Sequence, residues 1–196
     1  MAGFQVTING RQLASVSNEG LNIIQVLVHG DVIGEELATV EIFGGNYGNG
    51  ESDKHLIWVS DHEISTDDEV EIEFREEVFT SHPGKTIEEL HPEAENQDGS
   101  RQSMEDLFKE LATRPKLREK HTFELVLPDG DLIRTSTGHD GYSFHFGAMW
   151  KWTKPDEARV SLSSNTLEKI AKREDGSNHA TFKIQFGQCV KLCVGS

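Results

Sequence analysis

Cysteine is nearly absent from this chain: Cys189 and Cys193 are the only two. In a strand they would share one face about 13 Å apart, too far to bridge. Two unpaired thiols point to a reducing compartment and predict a cytoplasmic protein. Long apolar runs are absent too. No stretch approaches the roughly eighteen apolar residues that a membrane-spanning helix needs. The opening Met1-Ala2-Gly3-Phe4-Gln5-Val6 has neither the basic region nor the apolar run of a signal peptide, and Ala2 does not fit a myristoylation signal.

Positive charge is scarce in the first half. Residues 1–100 hold 4 Lys/Arg against 21 Asp/Glu, a balance of −17, whereas residues 101–196 hold 15 against 13, a balance of +2, giving the net −15. Such a chain should be repelled by nucleic acid and by anionic membrane, and its first half should attract a basic partner.

What is present is period-two patterning. Phe4-Gln5-Val6-Thr7-Ile8 alternates apolar with polar and runs into Asn9-Gly10, a strong hairpin signal. Strands are predicted at 13–16, 21–28, 37–43, 55–59 and 70–74, then at 121–127, 131–136, 142–152, 158–162 and 180–194, the last bent at Gly187. Between 79 and 120 the texture changes. Pro83, Gly84, Pro92, Gly99 and the polar run 93–102 mark an exposed connection, and about 92–102 is the predicted first site of proteolysis. Within it, Met104, Leu107, Phe108, Leu111 and Ala112 share one face of a helix over 103–113, with Ser103 as N-cap and Pro115 as stop. A short helix is predicted at 166–174.

The fold class expected is mainly β, all-β or α+β, with sandwich-like antiparallel sheets and two or three peripheral helices. The chain divides into an acidic N-terminal β-lobe (1–78), the helical connection (79–120) and a C-terminal β-lobe (121–196), all within the size of one compact domain. Two echoes suggest related lobes. Phe4-x-Val-x-Ile-Asn-Gly matches Phe123-x-Leu-x-Leu-Pro-Asp-Gly, and Asp68-Glu69-Val70-x-Ile72-x-Phe74 matches Asp156-Glu157-Ala158-x-Val160-x-Leu162.

Chemical motifs are weak. Gly84-Lys85-Thr86 lacks the glycine that a phosphate loop needs five residues earlier, where Phe79 stands, and reads as a helix entry. The glycine-rich 44–50 precedes Glu51 and Asp53, which repel phosphate, and reads as a hairpin loop. Nine histidines include no pair at helical i, i+4 spacing, and there is no Cys-x-x-Cys. The tightest group, His139, Asp140 and His145, is the alternative reading: a metal-binding protein or, with Ser143, a hydrolase. Neither a nucleophile elbow nor an isolated carboxylate pair supports that chemistry. No cofactor or metal is predicted.

The most informative stretch is 61–77, which carries nine acids and one arginine. With Val70, Ile72 and Phe74 inward, Glu69, Glu71 and Glu73 project from one face about 7 Å apart, close enough to repel at physiological salt. Asp67, Asp68, Glu69, Glu71, Glu73, Glu76 and Glu77 form the predicted partner-binding set, extended by Glu41 if its strand is adjacent. The competing structural readings are edge-strand protection and neutralisation by Arg114, Lys116, Arg118 and Lys120.

In composition and size the chain resembles the small acidic immunity proteins that bacteria make against cationic toxins, often nucleases. No motif carries that resemblance. It implies a non-enzymatic binding or inhibitory protein that docks a basic protein partner. A structural accessory module without chemistry of its own is a further alternative.

Overall fold

A computed structural model describes residues 1–48, 54–92 and 103–196. Asn49 and Gly50 at the end of the glycine-rich stretch, and the polar run 93–102, lie outside the described residues. Twelve strands form two six-stranded antiparallel sheets. In the first half they are β1 (Gly3–Ile8), β2 (Arg11–Ser17), β3 (Ile23–Asp31), β4 (Ala38–Asn46), β5 (Lys54–Ile64) and β6 (Glu69–Arg75). In the second they are β7 (Thr122–Val126), β8 (Leu132–Ser136), β9 (Ser143–Lys151), β10 (Glu157–Asn165), β11 (Ser177–Gln185) and β12 (Gln188–Gly195). One sheet runs β2-β1-β6-β12-β7-β8, the other β11-β10-β9-β3-β4-β5.

The alternation read from the sequence sets which face is buried. Phe4, Val6, Val70, Ile72, Phe74, Val190 and Leu192 of the first sheet join Ile24, Val26, Val40, Ile42, Phe144 and Phe146 of the second in one apolar core. Each such side chain contributes roughly 1.5–3 kcal/mol on burial. Asn9 and Gly10 both take positive φ, 52° and 74°, the conformation a tight β-hairpin demands.

The strand orders are palindromic, and the register makes the symmetry quantitative. At the centre of one sheet Leu27 of β3 faces Gly147 of β9. At the centre of the other Glu71 of β6 faces Lys191 of β12. Both pairs are 120 positions apart. The same spacing superposes Ala38, Val40 and Ile42 of β4 on Ala158, Val160 and Leu162 of β10, strand for strand and face for face. Phe4 and Val6 meet Phe123 and Leu125 at a spacing of 119. Each half supplies three adjacent strands to either sheet, and a pseudo-twofold axis crosses both sheets at those central pairs. The first echo in the sequence is thus a true correspondence. The second is not, because the counterpart of β6 is β12 rather than β10; alternating apolar residues matched by pattern alone.

One joint differs between the halves. Trp58 packs on Gly44, where an added Cβ would sit 3.3 Å from its ring. The counterparts are His179 and Ser164. There the imidazole links the two sheets, with Nε2 2.8 Å from Ser164 Oγ and Nδ1 3.0 Å from Thr135 Oγ1. Indole filling on one side is replaced by a hydrogen-bonded chain on the other.

The helices lie outside the sheets. Helix α1 (Ile87–Leu90) starts with a capping box from Thr86, so Gly84-Lys85-Thr86 is a helix entry. Helix α2 (Met104–Thr113) is N-capped by Ser103, whose Oγ accepts from the Asp106 amide, and packs on α3 (Leu167–Lys172). The expected single strand at 180–194 is two strands in different sheets. Gly187, with φ 77°, lets the chain turn from β11 into β12.

Candidate functional site

The acidic stretch 61–77 is three structures in succession. Asp61 to Glu63 finish β5, residues 65–68 turn between the sheets, and β6 follows. Asp67 sits exposed in the turn at φ 73°. Asp68 braces it, accepting from Asn9 Nδ2 at 2.6 Å and from the Ser65 amide at 2.8 Å, contacts that hold its carboxyl below the usual range. Glu76 and Glu77 are exposed just past β6.

Strand β6 is central, paired with β1 on one side and β12 on the other, so its glutamates do not protect an edge. Nor are they bare. Lys191 lies 2.8 Å from Glu69 and 3.0 Å from Glu71, and Arg75 lies 3.7 Å from Glu73. The hydrogen bonds from Lys191 to Glu69 and then to Glu71 push its ammonium pKa upward. Three of the four basic residues expected to neutralise the acidic stretch, all but Lys120, are occupied elsewhere. Arg114 pairs with Glu110, Lys116 donates to the His139 carbonyl, and Arg118 donates to the Asp31 and Glu35 carbonyls. Glu41 does not extend the patch; it lies in the other sheet, 3.4 Å from His29.

Lys191 is therefore the keystone of this face. Lys191→Met should cost about 1 kcal/mol at pH 7, because three carboxylates then face one another with only Arg75 in reach. Denaturant titration at pH 7 should find that loss.

The uncompensated acids are a few residues away. Glu35, Glu36, Leu37, Glu63, Ile64, Ser65, Thr66, Arg118 and Ser196 line a cleft of about 770 Å³. Its geometry follows from local chemistry. Asp31 Oδ1 accepts from the Ile33 and Gly34 amides at 2.9 and 2.7 Å, folding the chain back after β3. Arg118 then staples this loop by donating to the Asp31 and Glu35 carbonyls at 2.6 and 3.0 Å. Among the described residues its charge is the one basic group lining the cleft, against three glutamates. Among the described residues none of those glutamates has an ion-pair partner. Sequence reasoning placed Glu63 in the acidic stretch without selecting it and missed Glu35 and Glu36. Their only signal was two adjacent acids in a short connection between strands.

The histidines behave differently. His139 and Asp140 are exposed in a turn, while the His145 ring stacks on His29 at 6.2 Å. Desolvation of the ring, then the neighbouring His29, lowers the His145 pKa. Among the described residues no three His, Cys, Asp or Glu side chains gather as a metal site. Ser143 is buried and its Oγ finds no hydrogen-bond partner among the described residues, so it makes no hydrogen bond to His145. Cys189 and Cys193 flank Lys191 on β12, and burial, followed by nearby glutamates, raises both thiols further from reactivity. Fully buried His121 stacks on Phe123 and meets Phe144 at a tilt, with Nε2 3.2 Å from the Leu37 carbonyl. Burial, then Arg118, lowers its pKa to about 4.

No protein-family model, curated protein or solved structure matches the chain. Among the described residues no helix is long and apolar enough to cross a membrane.

Proposed function

We propose that this is a non-enzymatic binding protein, inhibitory in the manner of immunity proteins, that docks a basic protein partner such as a cationic toxin. The observation that carries the reading is the cleft at Glu35, Glu36 and Glu63, where three carboxylates face one lining guanidinium whose hydrogen bonds are given to carbonyls. A lysine or arginine entering there gains attraction without first breaking an ion pair. The seven acids at 67–77 differ in readiness. Asp67 is exposed beside the cleft and Glu76 and Glu77 are exposed past the far end of β6, whereas Asp68, Glu69, Glu71 and Glu73 are already engaged by Asn9, Lys191 and Arg75. The unpaired thiols suit action in the cytoplasm.

Charge complementarity of this kind raises the association rate and makes affinity fall with salt. Calorimetry with a lysine-rich peptide tests the reading. Glu35→Gln, Glu36→Gln and Glu63→Gln together should weaken binding about tenfold or more, while the same change at Glu69, Glu71 and Glu73 should weaken it less than about threefold. Equal loss in both variants, or binding indifferent to salt, would sink the cleft as the docking surface.

A further inference from the structure

The pseudo-twofold that relates the halves carries Leu37 and Glu63 of the acidic cleft onto Glu157 and Lys183 of a second cleft, one whose charge is opposite. In the first half Thr39 of β4 lies opposite Glu63 of β5. At the 120-residue spacing the matching pair is Arg159 of β10 opposite Lys183 of β11. Asp31 corresponds to Lys151 and Gly34 to Lys154. Met149, Lys151, Thr153, Lys154, Glu157, Arg159 and Lys183 line a cleft of about 240 Å³. Glu157 binds Lys154 at 3.1 Å and Lys183 at 2.8 Å. Among the described residues Lys151 and Arg159 have no carboxylate partner. Arg159 and Lys183 face each other across two strands, a like-charge pair of which Glu157 answers only Lys183. A chain of net charge −15 thus concentrates unpaired cations at one place. That place overlaps the symmetry image of the acidic cleft at Glu157 and Lys183.

We propose that the acidic cleft of one molecule docks on the basic cleft of a second copy. This rests on the reading of the acidic cleft as a cation-docking surface and names one partner for it. Glu63 and Lys183 lie on the two edge strands, β5 and β11, of the same sheet, at opposite margins of the molecule. One copy can therefore engage a neighbour on either side. The contact joins two different surfaces, so it repeats from copy to copy and generates chains or rings rather than a closed twofold dimer. A basic protein partner competes for the same acidic cleft, so partner binding releases the neighbouring copy.

Salt gives the contact a distinctive signature. At low ionic strength the net charge of whole molecules repels. At about 0.15 M the screening length is roughly 8 Å, so distant charge fades while adjacent clefts still attract, and at 1 M it is roughly 3 Å and the attraction goes too. Association should peak between those limits.

Sedimentation velocity at protein concentrations up to about 0.5 mM tests this, since millimolar contacts register there. The wild type should sediment above monomer at intermediate salt. An acid-reversed variant (E35K, E36K, E63K) and a base-reversed variant (K151E, R159E) should each be monomeric while retaining the wild-type circular dichroism. Mixed, they should associate again, because one then presents only cationic clefts and the other only anionic ones. A wild type that stays monomeric at every salt concentration overturns the proposal. So do reversed variants that still associate alone, or folded variants that fail to associate when mixed. If the wild type is monomeric yet binds the lysine-rich peptide through Glu35, Glu36 and Glu63, self-docking fails and the proposed function stands. If neither occurs, both fail.

Discussion

Ile72→Asp should abolish folding. Ile72 has no exposed surface, and on either side it faces Val6 of β1 and Val190 of β12, both fully buried. A carboxylate there has no cationic partner and no water. An unpaired buried charge costs more than about 4 kcal/mol, comparable with the whole stability of about 5–15 kcal/mol for a domain. Circular dichroism should show loss of the β spectrum and denaturant titration no cooperative transition. Ile72→Val, which removes one methylene, should cost only about 0.5–1.5 kcal/mol. A folded Ile72→Asp protein would contradict the placement of β6 in the middle of its sheet.

The second large effect is a pH dependence from His121. Its ordinary pKa of 6.5 is lowered to about 4 in the folded protein. Below pH 6.5 the unfolded chain binds a proton that the folded chain refuses. Stability therefore falls as pH drops from 6.5 toward 4 and levels off below, with a total of about 3 kcal/mol and about 2 kcal/mol of it lost by pH 5. His121→Phe keeps a ring between Phe123 and Phe144 and removes the titrating group. It leaves the Leu37 carbonyl without the imidazole, a penalty that should not vary with pH. Chemical denaturation at pH 7 and pH 5 should show the wild type losing about 2 kcal/mol more than the variant. Parallel losses would mean that His121 is solvated.

Much of this fold was legible because the governing signals are local. Val70, Ile72 and Phe74 alternate with glutamates, and the strand buries those three. Ser103, the apolar face from Met104 and Pro115 placed α2 to within a residue at its start. The division of 180–194 was not legible. Apolar residues keep even parity through Phe182, Ile184, Val190 and Leu192, so only the backbone at Gly187 reveals that the chain changes sheets. The duplication was half legible. Phe4 and Phe123 carry it, while the match of β6 with β10 arose from alternation itself.

The candidate site divides the same way. The acids of 61–77 were visible as a run, but Lys191, 120 positions from Glu71, neutralises their centre, and no local pattern announces a cross-strand neighbour at that distance. Glu35 and Glu36 become a cleft wall only because Arg118 and the Asp31 carboxylate fold their loop against the β5–β6 corner. The opposite charge of Glu63 and its counterpart Lys183 is visible only once the register supplies the 120-residue correspondence.

The most direct measurement is amide chemical-shift mapping of the folded protein titrated with a lysine-rich peptide at about 0.15 M salt, where only nearby charges act. The largest changes should fall at residues 35–37 and 63–66 and at Arg118, with β6 amides nearly still. Changes centred on Glu69, Glu71 and Glu73, or scattered evenly over the acidic half, would contradict the acidic cleft as the docking surface.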